Sequence, residues 1–499
     1  MPRFPPIYWN HSKKWGLSSI DKSTQKTVKC PNCATNCATG FTVQHRKLTD
    51  KMTIKGKLII IGSGIAGISA AFSARRKYPL VDITVISSER DGFYNRIAIG
   101  ALAVQKRVEA ELFTLGTPLF DTERIHTRFG VGVTRIDARD QNVQLSDGSA
   151  LPYDRLILAT GATPLMPPIS GVNTDGVHCL WTMEDARKLS SRLQSGNRVA
   201  VIGGGVLGVE AAMDIRDTGK IVHLIEAANS LMEHHLPGDI SRALQTKLEQ
   251  DGIAVSTREL VTGIQRKNGV LHIQCANSAT ISCDAVVVST GVRPNIELAK
   301  AAGIDVQNGI IVNDRMATSI PHILACGNCI EPPRGSALLW NPARRQGEVA
   351  GENAFEENCS FQHTAWPIHL KSNRISLFAM GDPHAIPENA TEYREILPNG
   401  EKQLHITRDG KLCHVTFFGD VTGYHTIEKM FRNGTALPVA DFNEKSVSDA
   451  IATVSSPTED AGYIKPGWVC NVCGYTHEGD VPPGVCPVCN VGRDQFLAA

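Results

Sequence analysis

The run Lys57 to Gly67, KLIIIGSGIAG, constrains this chain more than any other stretch. Leu58 to Ile61 form a short apolar run of the kind that fills a strand buried on both faces. Gly62, Gly64 and Gly67 follow at G-x-G-x-x-G spacing, and an apolar helix begins behind them. The first glycine permits a tight turn, the second lets backbone approach a pyrophosphate, and the third lets helix and strand pack closely. The phosphates then lie at the positive end of the helix. Glu89 closes the next apolar run, Ile83 to Ile86, near the ~20-residue distance at which such units place an acid on a ribose hydroxyl. The plainer alternative is a glycine-rich structural turn, but strand, helix and acid together are the context that a dinucleotide site demands.

The device occurs twice. RVAVIGGGVLGVEAAMDI carries Gly203, Gly205 and Gly208 at the same spacing, and Glu226 closes IVHLIE. A carboxylate at Glu226 accepts bonds from an adenosine ribose and repels a 2′-phosphate, so NADH is expected over NADPH. The alternative for Glu226 is an ordinary solvated acid at a strand end.

Charge points away from nucleic acid and from anionic membrane surfaces, because Lys plus Arg (51) nearly equals Asp plus Glu (50) and no block of like charge stands out. No apolar stretch reaches the ~18 residues of a membrane span, and the first residues have no signal-peptide core, so a cytoplasmic protein is expected. The 14 cysteines fall mostly in C-x-x-C pairs, which in a long enzyme-like chain suit metal or redox sites better than structural disulfides. Residues 1–53 lack sustained periodicity and read as an N-terminal extension, dispensable if Met52 is the biological start. Within it Cys30, Cys33 and Cys37, with His45, are a candidate metal cluster that lacks the paired spacing of closed sites.

Between the two glycine loops lie YNR, with Arg96, and then LILATG, with Ala159, Thr160 and Gly161. In this combination the chain resembles flavoproteins of the pyridine nucleotide-disulfide oxidoreductase superfamily. The resemblance implies that ATG marks where the chain leaves the flavin domain. It also makes VVVSTG, ending in Gly291, the return crossing. MATSIPHILACGNC resembles the family motif in which an aspartate binds the ribityl chain; here Gly327 is followed by Asn328, a departure that keeps hydrogen-bonding capacity and loses a charge. LLWNPARRQGEVAGENAF resembles the helix that approaches the isoalloxazine, making Trp340 a candidate ring neighbour or else simply core. Cys326 and Cys329 form a C-x-x-C beside this motif. The superfamily's redox cysteines lie elsewhere, and the thioredoxin-like context that would make the pair a redox site is absent.

The tail, GWVCNVCGYTHEGDVPPGVCPVCNVGRDQF, holds Cys470-x-x-Cys473 and Cys486-x-x-Cys489. Four thiolates in two such pairs make a tetrahedral site for iron or zinc. The C-G-Y and C-P-x-C contexts, with Trp468, Tyr475 and Phe496, resemble the rubredoxin domain at the end of rubrerythrins, which implies one iron.

The expected fold is α/β, with two Rossmann-like dinucleotide-binding domains, a small α+β third domain and a rubredoxin-like metal knuckle. The expected layout is an FAD domain at 54–171 and 292–358, an NAD(H) domain at 172–291, a third domain at 359–438, a linker at 439–465 and the knuckle at 466–499. The resemblance to NADH:rubredoxin-type oxidoreductases implies electrons passing from NADH through FAD to iron. An external acceptor would follow, such as a flavodiiron protein, a rubrerythrin or a superoxide reductase in oxygen defence. An NADH oxidase, peroxidase or nitrite-reductase-type flavoprotein, and a flavoprotein with a zinc-stabilised docking tail, are the alternatives.

Overall fold

The computed structural model describes residues 54–455 except 114–116, 332–338, 364, 373–374 and 408. In the tail it describes 467–470, 476–478, 481–482, 484, 493 and 496–498. Cys30, Cys33 and Cys37 therefore lie outside the described residues.

Leu58 to Ile61 are buried in the strand Lys57–Ile61, the middle of a five-stranded parallel sheet. Its order is Ile323–Ala325, Arg155–Leu158, Lys57–Ile61, Asp82–Ser87, Ile125–Phe129. The helix Ile65–Lys77 crosses one face and is itself covered by the helix Trp340–Glu352. The edge strand Ile323–Ala325 arrives only after the second sheet is complete, so this first unit is built from two separated stretches of chain.

The second sheet repeats the plan, ordered Ile253–Ser256, Ile221–Ile225, Arg198–Ile202, Ala285–Val288, Val177–Cys179, again all parallel. Burial on both faces explains the continuous apolar strands in each sheet. The chain crosses out along Ala162–Pro164 and back along Val292–Pro294, and these two segments pair antiparallel.

One stretch crosses the boundary between the two units. Tyr94, Ile99, Leu102, Ala103, Val104 and Leu112 follow the first unit's second strand in sequence, yet they are buried in one cluster with Met183, Leu189, Val209 and Met213 of the second.

The third unit is a five-stranded antiparallel sheet, ordered Ile368–Lys371, Ser376–Gly381, Leu412–Phe418, Gly400–Thr407, Ala390–Leu397. Helices Tyr424–Asn433, Val439–Glu444 and Val447–Ser455 fall after it. The expected linker at 439–465 begins too early. Phe442, Val447, Ala450 and Ile451 are buried against Phe378, Leu404 and Phe417. Glu395 Oε2 accepts from both the amide and the hydroxyl of Ser448, at 2.8 and 2.7 Å, which satisfies a free helix-start N–H and sets a negative charge against the helix dipole. The buried Lys402 ammonium donates to the Ser448 hydroxyl at 3.0 Å. Residues 439–455 thus pack as part of the third unit, and the rest of the expected linker lies outside the described residues.

In the tail, Gly467–Cys470 is the middle strand between Thr476–Glu478 and Phe496–Ala498, paired antiparallel to both. Among the described residues no helix is long and apolar enough to cross a membrane.

Candidate functional site

Each glycine loop is shaped by contacts that no side chain could survive. Gly62 has φ +116°, and a β-carbon there would lie 2.1 Å from the Ala159 carbonyl oxygen; Gly203 has φ +109° and stands 2.1 Å from the Ser289 carbonyl in the same sense. Gly67 and Gly208 turn toward the carbonyls of Gly62 and Gly203, closing helix onto loop. The middle glycines differ. Among the described residues, a β-carbon at Gly64 or Gly205 would meet nothing within 4 Å, so each loop is bare on the side a pyrophosphate would approach. Gly64 and Gly205 are also the N-caps of helices Ile65–Lys77 and Val206–Asp217, with no side-chain cap taking the first amides.

The two strand-end acids are held differently. Glu226 accepts from the Gly204 and Ala228 amides, at 2.5 and 2.6 Å, so its charge is fixed on the second glycine loop. Glu89 accepts from the Tyr94 hydroxyl at 2.6 Å and pairs with Arg96 at 2.6 Å. Arg96 in turn donates to the Trp181 carbonyl, and its guanidinium lies 5.0 Å and 5.8 Å from the Tyr94 and Trp181 ring centroids. The first acid is therefore wired to the start of the second unit.

At the crossing, the Thr160 hydroxyl donates to the Asn295 carbonyl at 2.9 Å and the Asn295 amide donates to the Thr160 carbonyl at 2.8 Å. Gly161 (φ +67°) and Gly291 (φ +101°) turn the two strands, and the Leu165 amide binds the Gly291 carbonyl at 2.9 Å.

The loop after Ile323–Ala325 sits against the first glycine helix. The Gly327 amide donates to Gln346 Oε1 at 3.0 Å, and a β-carbon at Gly327 would press on Ala66 at 2.7 Å. Among the described residues, Asn328 Oδ1, Trp340 Nε1 and Asn341 Oδ1 are buried polar atoms with no hydrogen-bond partner, all at this loop or at the start of helix Trp340–Glu352. Buried polar groups are almost always satisfied, so these atoms fit a polar cofactor such as a flavin, which carries both donors and acceptors. The Trp340 ring lies 6.3 Å from that of Phe93. Cys326 and Cys329 are fully buried and unbridged, with the Cys329 thiol directed at the Cys326 carbonyl at 3.3 Å. Burial pushes both thiols up, so they are core thiols rather than poised thiolates.

Sequence reasoning missed several groups. Glu210, inside VLGVEAAMDI, has its carboxyl pushed up to about 7 by burial and by the nearby Asp214. Two acids one turn apart, Glu210 and Asp214, inside a largely apolar helix were the available signal. Arg187 binds Asp91 at 2.8 and 3.1 Å and Glu109 at 2.8 Å, tying the two units, and nothing local announces that bond.

Of the tail cysteines, Cys470 ends the strand Gly467–Cys470, whereas Cys473, Cys486 and Cys489 lie outside the described residues. The donor set itself, four soft sulfurs in two C-x-x-C pairs, fits tetrahedral iron.

Residues 56–347 match the family described as pyridine nucleotide-disulphide oxidoreductase, and residues 468–497 match the rubrerythrin, rubredoxin-like domain. The family brings FAD and a nicotinamide dinucleotide, and the rubredoxin-like domain brings iron. The chain is 33% identical over 372 residues to an assimilatory nitrate reductase electron transfer subunit of Bacillus subtilis (strain 168), covering 73% of this chain and 48% of that protein. It is 30% identical over 326 residues to an NADH-rubredoxin oxidoreductase of Clostridium acetobutylicum, covering 65% of this chain and 82% of the relative. The crystal structure of an NADH:rubredoxin oxidoreductase from Clostridium acetobutylicum superposes with a TM-score of 0.65 at 26% identity, over 80% of this chain and 100% of that one. The chain spans about half the length of the nitrate and nitrite reductase relatives that it matches.

Proposed function

The chain belongs to the pyridine nucleotide-disulphide oxidoreductase family, and from that premise we propose that it takes electrons from NADH and delivers them, through FAD and a C-terminal iron site of four cysteine thiolates, to an external protein acceptor. The observation that carries the proposal is the joining, in one chain, of a reductase with two dinucleotide loops and a rubredoxin-like domain at residues 468–497. When bound, FAD supplies a centre that accepts a hydride and releases electrons singly, and the iron supplies a one-electron carrier.

The chain's own residues do the rest. The loop of Gly62, Gly64 and Gly67 leaves the uncapped start of helix Ile65–Lys77 to the FAD pyrophosphate, and Glu89, held in place by Tyr94 and Arg96, takes the adenosine ribose. Ala159, Thr160, Gly161 and Gly291 form the joint that carries the second unit toward the first. Gly327, Asn328 and Trp340 line the flavin, with Asn328 offering an acceptor where the family has a carboxylate. Gly203, Gly205 and Gly208 seat NADH, and Glu226, fixed on the loop, favours NADH by repelling a 2′-phosphate. Cys470, Cys473, Cys486 and Cys489 hold the iron. The acceptor we infer is a one-electron metalloprotein or flavoprotein, of the flavodiiron, rubrerythrin or superoxide reductase kind, in oxygen or reactive-oxygen detoxification.

Anaerobic titration of the purified protein with NADH tests this. The flavin absorbance should bleach, and the ferric thiolate bands should bleach with it. Flavin reduced while the iron bands persist, or zinc in the tail of protein grown with ample iron, would overturn the internal route.

A further inference from the structure

We propose that Arg394, Gln403 and His384 of the third unit are positioning residues for the nicotinamide dinucleotide, acting through residues 231–239, which brace the second glycine loop. The proposal rests on the NADH reading above and extends it to side chains that lie on another unit and outside both loops.

The brace begins with strain. Met232 holds φ +51°, an uncommon conformation for a residue with an unbranched side chain, and from it donates its amide to the Gly204 carbonyl at 2.9 Å. Leu231 fills the space beside Gly204, where a β-carbon would lie 2.6 Å from its side chain. The Ser241 hydroxyl fastens the Leu231 carbonyl at 2.7 Å, and the His235 and Leu236 amides return to the Met232 carbonyl at 2.8 and 3.1 Å. Gly204 thus has its amide on Glu226 and its carbonyl on Met232. The bare middle of the loop at Gly205 is positioned from both sides.

The far side of the same segment is fastened to the antiparallel sheet. Leu231, Met232, Leu236 and Ile240 share one buried cluster with Ile368, Leu370, Leu377 and Ala379. His384 Nε2 donates to the Glu233 carbonyl at 2.8 Å. The Asp239 carboxylate accepts from the Arg394 guanidinium, from the Gln403 amide at 2.8 Å and from the Ile240 amide at 3.0 Å. Arg394 also pairs with Glu392 at 2.7 Å and with Glu401 at 3.4 Å, so one guanidinium serves three carboxylates on two units. Without it, Asp239, Glu392 and Glu401 face one another in a half-buried interface, and like charges there repel several times more strongly than in water. The segment that carries Met232 is then pushed from the sheet that holds it.

The test uses full-length, flavin-loaded protein and anaerobic stopped-flow reduction over a range of NADH, with NAD+ binding followed by calorimetry. In R394Q the NADH concentration for half-maximal rate should rise about tenfold, inside the range transmitted through packed contacts. The limiting rate and the FAD content should stay near wild type. R394K, which keeps the charge, should recover most of the affinity. Q403L, which removes one bond to Asp239 and leaves the charges in place, should weaken NAD+ binding in the same direction by less. Wild-type NAD+ affinity in R394Q and Q403L together with a lowered Tm would make the contacts merely structural and overturn the inference. Wild-type protein that fails to bind NAD+ at all would overturn the NADH reading instead, a result separable from the first.

Discussion

A single carboxyl shows how far burial shifts chemistry from what residue type alone suggests. Glu210 lies one turn inside the helix behind the second glycine loop, and burial, with Asp214 adding repulsion, pushes its pKa up to about 7. Asp214 itself is paired with Lys106 at 2.7 Å. A folded-state pKa above the unfolded value means that the protonated acid is favoured in the native protein. Its contribution to stability is therefore complete below about 4.5, the unfolded value, and is lost as pH rises through about 7. Glu210→Gln, which cannot ionise, should raise Tm at pH 8 and change it little at pH 4. A variant whose Tm tracks wild type across that range would show that the acid is already solvated. The two C-x-x-C pairs make the same point from another side: Cys326 and Cys329 share the spacing of Cys470 and Cys473, but their burial makes them core thiols.

At the scale of elements, one helix crossing carries the flavin side of the proposed site. Helices Ile65–Lys77 and Trp340–Glu352 approach so closely that a β-carbon at Gly347 would lie 2.1 Å from the Ala66 carbonyl oxygen, and one at Gly351 would lie 2.2 Å from that of Ala70. Both contacts are with backbone, which cannot step aside as a flexible side chain can. One helix starts at the bare glycine loop and the other at Trp340, so in the proposed site their separation would govern how FAD fits. Gly351→Val should therefore part the helices, at a cost of about 1–3 kcal/mol or more for overpacking, and release FAD more readily. Unchanged FAD retention after gel filtration, with unchanged Tm, would show that the crossing yields without affecting the loop. The helix Val447–Ser455 is a second case of an element defined by its neighbours: Glu395 and Lys402 reach Ser448 from two different strands.

For the whole molecule, the separation of tasks among units is itself testable. Domains with their own cores tolerate damage to one another, so loss of the tail metal should leave the hydride step intact. Replacing Cys489 by Ser should damage a soft, all-sulfur site and bleach the iron-thiolate absorbance, while NADH still bleaches the flavin. Delivery to an external one-electron protein acceptor should fall sharply, and direct leakage of electrons to oxygen should persist. Equal delivery by variant and wild type would refute an electron-carrying tail.

The features legible in the sequence are those whose physical cause is local. Apolar runs of strand length, glycines at fixed intervals and an acid at the next strand's end lie within a few tens of residues, because the turn, the helix start and the proposed ribose ligand all fall within one βαβ unit. The paired cysteines of the tail are readable for the same reason, since C-x-x-C is a local turn. Tertiary structure decided the rest. Arg187 meets Asp91 and Glu109, the segment Tyr94 to Leu112 joins the second unit's core, residues 439–455 pack where a linker was expected, and Arg394 reaches Asp239 across 155 residues of chain. Each joins groups far apart in sequence, and neither partner carries a periodicity or spacing that specifies the other. Such bonds are chosen by which surfaces the packed sheets bring together, and a charge or an apolar stripe acquires its partner only then.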